Sequence, residues 1–92
     1  MSDFAAAFED VQGRLRGLLI ILSASLPSLA VEQIDELIDV GELPLALRML
    51  VAAVLQQTLE MSPDTFATMS ALGELTKIDP QYLDRARELV RE

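Results

Sequence analysis

The sequence predicts an all-α fold, a compact bundle of about five helices with a long first helix and an apolar central third helix. Three observations predict it. Apolar residues recur three and four positions apart along the chain, with no sustained two-residue alternation. Each of the four prolines stands where a helix can start or must stop. With 92 residues, of which 51% are hydrophobic, the chain suits one domain spanning 1–92.

The first helix is expected from a cap at Ser2 or Asp3 to about Ser25. Phe4, Phe8, Val11, Leu15, Leu18 and Leu22 form its seam, with Leu19 and Leu26 beside it. On the opposite side Gly13, Gly17, Ile20 and Ala24 share a narrow arc, with Ile21 near. Small residues there admit a close backbone, either another helix of the domain or a second copy. Pro27 ends this helix and Ser28 is positioned to cap the second, expected over 29–40 and stopped by Gly41.

In the second helix Ala30, Val31, Ile34, Leu37 and Ile38 share the inward side. Glu32, Asp35, Glu36 and Asp39 share an outer arc about 100° wide, and Glu42 follows. Like charges one turn apart each cost a few tenths of a kcal/mol, and nothing basic in the helix relieves them. The third helix, from about Glu42–Pro44 to about Glu60, has apolar residues on every side, and between Leu43 and Leu55 only Arg48 is charged. Such a helix belongs in the middle of a domain. Ser62-Pro63 and Asp79-Pro80 each set a capping residue before a first-turn proline. They open a fourth helix running to about Lys77, with Phe66, Met69 and Leu72 inward and Leu75 off the arc. A fifth, running to about Arg91, has Leu83, Ala86, Leu89 and Val90 inward and carries charges of both signs.

Composition narrows the function classes. A net charge of −8 repels nucleic acid and anionic lipid and attracts a basic protein surface. The chain has no Cys and no His, so disulfides, thiolate metal sites, imidazole ligands and imidazole catalysis are excluded. No paired-carboxylate cleft is legible, and neither the calcium-loop pattern nor the Glu-x-x-His pattern occurs, so no catalytic residue, metal or cofactor is expected. The uncharged run 17–31 follows Asp3, Glu9 and Asp10 and is broken by Pro27. It therefore reads as a buried helix end rather than a signal peptide or membrane span, and a cytoplasmic location is expected.

Two resemblances add to this. Ser28-Leu29 at the head of an acidic helix resembles the attachment triplet of acyl carrier proteins, with Pro27 where that family has Asp. The stretch 34–60, IDELIDVGELPLALRMLVAAVLQQTLE, more closely resembles small bacterial immunity proteins of the MafI type. The shared pattern is an acidic helix ending in Gly41-Glu42, a step over Leu43-Pro44-Leu45, then Ala46-Leu47 and a long apolar helix. Ser62 to Leu75 and Pro80 to Val90 match the helices that follow, and Arg48 stands where the family tends to have Glu. The resemblance implies a non-catalytic protein that neutralises a cognate toxin domain, in many cases a nuclease with a basic active site. On that reading Glu32, Asp35, Glu36, Asp39 and Glu42 are the partner-binding residues. Gly13, Gly17, Ile20, Ile21 and Ala24 remain a possible homodimer contact.

Overall fold

The computed structural model describes residues 3–92 and has five helices: α1 (Asp3–Ser23), α2 (Ser28–Asp39), α3 (Leu43–Gln56), α4 (Pro63–Thr76) and α5 (Pro80–Arg87). Among the described residues there is no strand, only one parallel bridge between Met61 and Val90. The expected cap at Ser2 or Asp3 falls on side chains outside the described set.

α3 packs against all four other helices. Leu43, Ala46, Leu47, Leu50, Val51, Ala53 and Val54 are buried, and Leu45, Met49 and Leu55 are half-buried. Only Pro44, Arg48, Ala52 and Gln56 are exposed. These four are spaced four apart and so climb one edge of the helix. Arg48 stands on that edge, at the surface. Each large aliphatic buried here contributes about 1.5–3 kcal/mol relative to exposure.

α1 lays Leu15, Leu18, Leu19 and Leu22 into the core, with Phe8 and Val11 packed at its margin. Phe4 does not join this seam and is 84% exposed. The first turn of α1 overhangs the bundle, because Phe8 already meets the turn that follows α2. That turn centres on Gly41, whose φ of +84° is left-handed. The Gly41 N–H donates to Ile38 O (3.1 Å) and the Glu42 N–H to Leu37 O (2.9 Å). A Cβ at Gly41 would stand 3.0 Å from Phe8 Cζ, so glycine serves both the backbone and the contact.

The helix ends correct three expectations. Pro27, with φ −59° and ψ 140°, occupies the cap position of α2 and makes no side-chain cap bond. Ser28 therefore falls one residue too late to cap and begins the helix instead. α3 ends at Gln56, short of Glu60: Thr58 turns left-handed at φ 49°, and the Leu59 N–H returns to Val54 O (3.0 Å). α5 ends at Arg87, short of Arg91, because the chain beyond it pairs with Met61. The Met61 N–H donates to Leu89 O (3.0 Å) and the Arg91 N–H to Met61 O (2.9 Å). The other two caps form as their residues dictate. Ser62 Oγ accepts from the Thr65 N–H (3.1 Å) and Asp79 Oδ1 from the Gln81 N–H (3.0 Å).

Candidate functional site

α2 is two-sided. Ile34 and Ile38 are fully buried, with Val31 and Leu37 packed beside them. On the other side Glu32, Glu36 and Asp39 are exposed and Asp35 is partly so. Glu42, just past the turn, is exposed as well. The helix thus holds four carboxylates outward together, and the Gly41 turn sets the fifth beyond its end.

α1 partly compensates this face from outside α2. Arg16 Nη2 contacts Asp39 Oδ1 at 2.5 Å, and Arg16 Nε lies 3.8 Å from Asp35 Oδ1. The second distance is beyond hydrogen-bond reach, and Nε is buried without a partner. Asp39 is therefore engaged directly, and Asp35 only through the nearby charge. Gln12 Nε2 also donates to Ile38 O (2.8 Å), which anchors the end of α2 on α1. No local sequence signal reveals Arg16, because its contact depends on how α1 packs against α2.

The stripe consequently has two edges. The edge beside α1 holds Asp35 and Asp39 under Arg16. The far edge holds Glu32 and Glu36, which make no ion pair among the described residues, and neither does Glu42. Next to the free edge Leu29 is 65% exposed and Val40 is 72% exposed. Sequence reasoning missed these two. The signal was present, since at about 100° per residue both fall outside the arc of Ile34 and Ile38.

The small-residue arc of α1 is also open. Gly13, Ile20, Ile21 and Ala24 are exposed and Gly17 is half-buried. A Cβ at either glycine would meet nothing within 4 Å. No other helix of the domain fills this arc. Beside it runs a groove of about 470 Å³ between α1 and α4, with Gly17, Ile21, Ala67 and Ala71 in its walls. A second groove, of about 350 Å³, is lined by Phe4, Phe8, Leu43 and Leu75.

Among the described residues no group of three or more acidic side chains is arranged to hold a metal ion. No described helix is long and apolar enough to cross a membrane. Comparison of the chain with family models, with curated proteins and with solved structures finds no match.

Proposed function

We propose that this chain is a non-catalytic cytoplasmic immunity protein, of the MafI type its sequence resembles, that neutralises a cognate bacterial toxin domain. The observation that carries the reading is the free edge of α2. Glu32 and Glu36, with Glu42 beyond the turn, stand exposed with no ion pair among the described residues. A row of outward carboxylates on a helix matches an Arg- or Lys-lined groove through charge-assisted hydrogen bonds. Asp35 and Asp39 contribute less, because Arg16 already faces them. The test is binding to a basic bacterial toxin domain, taken from a neighbouring gene where one encodes it. Charge reversal in E32K/E36K should slow association and weaken binding by about tenfold or more, roughly 1.4 kcal/mol, with the loss shrinking at high salt. Unchanged binding would remove the acidic face from the mechanism.

The open arc of α1 favours a second reading, a homodimer through Gly13, Gly17, Ile20, Ile21 and Ala24. Copies carrying net charge −8 repel, which favours contact where charge is sparse. The stretch 17–31 has no charged residue, and neither has 65–73 on the facing wall of the α1–α4 groove. Sedimentation across micromolar to millimolar concentration decides this, and a constant monomer mass rejects the dimer.

A further inference from the structure

Leu29 of α2 and Val40, the residue that ends it, carry an inference that rests on the acidic-face reading and specifies its partner. Leu29, Gln33, Glu36 and Val40 follow one another at i, i+4, i+7 and i+11, so they form one ridge with Glu32 beside it. Leu29 and Val40 are 65% and 72% exposed, and no helix of this chain covers them. They stand about 16 Å apart along the helix, at about 1.5 Å per residue. The unpaired carboxylates lie between them, while the paired ones lie on the opposite edge under Arg16. Charge alone would not set two aliphatic side chains at the ends of a solvated acidic row. We infer that this ridge docks into an amphipathic basic surface of a partner protein. That surface presents lysines or arginines at its centre, against Glu32 and Glu36, and an apolar spot at each end, against Leu29 and Val40. Charge complementarity then governs encounter and register, and burial of the two aliphatics slows dissociation.

The test needs no natural partner. The probes are a helical peptide of leucine and lysine at amphipathic spacing and an oligolysine of equal charge, each titrated into isotope-labelled full-length protein. Backbone amide shifts report the site, and affinities are compared for wild type, L29S/V40S and E32Q/E36Q. The leucine–lysine peptide should shift residues 29–40 and bind about tenfold more tightly than oligolysine. L29S/V40S should erase that advantage and leave oligolysine binding unchanged, because both side chains are exposed and their loss spares the core. E32Q/E36Q should weaken both peptides. Equal affinity for the two peptides, with no effect of L29S/V40S, overturns the inference and leaves the acidic-face reading standing. Shifts confined to Ile20 and Ile21, or to the groove of Phe4 and Leu75, also overturn it. So does the absence of any shift with the leucine–lysine peptide. Full affinity in E32Q/E36Q overturns the acidic-face reading itself and this inference with it.

Discussion

α2 and the second half of α1 rest on the same core yet offer solvent opposite chemistry. α2 turns out carboxylates and two aliphatics, one edge tied down by Arg16 and the other free. From Gly17 onward α1 turns out Gly17, Ile20 and Ile21, with Ala24 just past its end, and none of 17–31 is charged. Each is an unfinished surface, but they lack different things: one lacks cations, the other lacks a neighbour to fill space. A charged face attracts at a distance and is weakened by salt. A face of small and aliphatic residues acts only in contact and needs close fit. On the proposed readings, the first face would meet a partner by encounter and the second by packing.

The widest perturbation strikes the support common to both faces. Leu50 is fully buried on α3, and Leu50→Ala should cost about 2–5 kcal/mol and lower the urea midpoint. Both faces then fail together, and the distinction between them disappears. Gly41→Ala is more selective. It forces a side chain into a left-handed φ, at about 1–2 kcal/mol, and pushes it toward Phe8. Amide shifts should then change at the end of α2 and around Phe8, while those near Ile20 stay in place.

Gly13→Ala and Gly17→Ala test the other face. Both positions are within α1 and a Cβ there meets nothing. Each should raise stability by about 1 kcal/mol, read by thermal melting. Any self-association through this arc should weaken at the same time. A loss of stability instead would mean the arc is filled. Arg16→Gln is the smallest change. An exposed pair contributes about 0.2–1 kcal/mol, so stability should barely fall. Freeing Asp35 and Asp39 should nevertheless strengthen oligolysine binding beyond that of Arg14→Gln, which changes net charge equally and acts on Asp10 alone.

The five helices were legible because prolines, capping residues and the spacing of aliphatics agree on the same boundaries. Ser62 and Asp79 cap as their side-chain oxygens dictate, and Gly41 closes α2 where a left-handed residue is needed. The ends of α3 and α5 were not legible. Gln57, Thr58 and Glu60 are all compatible with helix, yet Thr58 turns left-handed and closes α3, while α5 stops because the chain beyond it pairs with the distant Met61. Phe4 was misjudged because periodicity continues where the core has already stopped. For the candidate site, the outward placement of the carboxylates follows from helical spacing alone. Their partial compensation does not, since Arg16 reaches them only through the docking of α1 on α2.

The Met61–Val90 bridge makes a closed circuit of α4 and α5. At one end Gly73 lets Leu83 approach so nearly that a Cβ would fall 2.4 Å from its Cδ1. At the other, two main-chain bonds and the Glu60–Arg91 pair at 3.4 Å hold the final residues. Such a tail cannot unravel residue by residue. Its amides at Met61 and Arg91 should exchange hydrogen at one common rate, released in a single cooperative opening with the helices they lock.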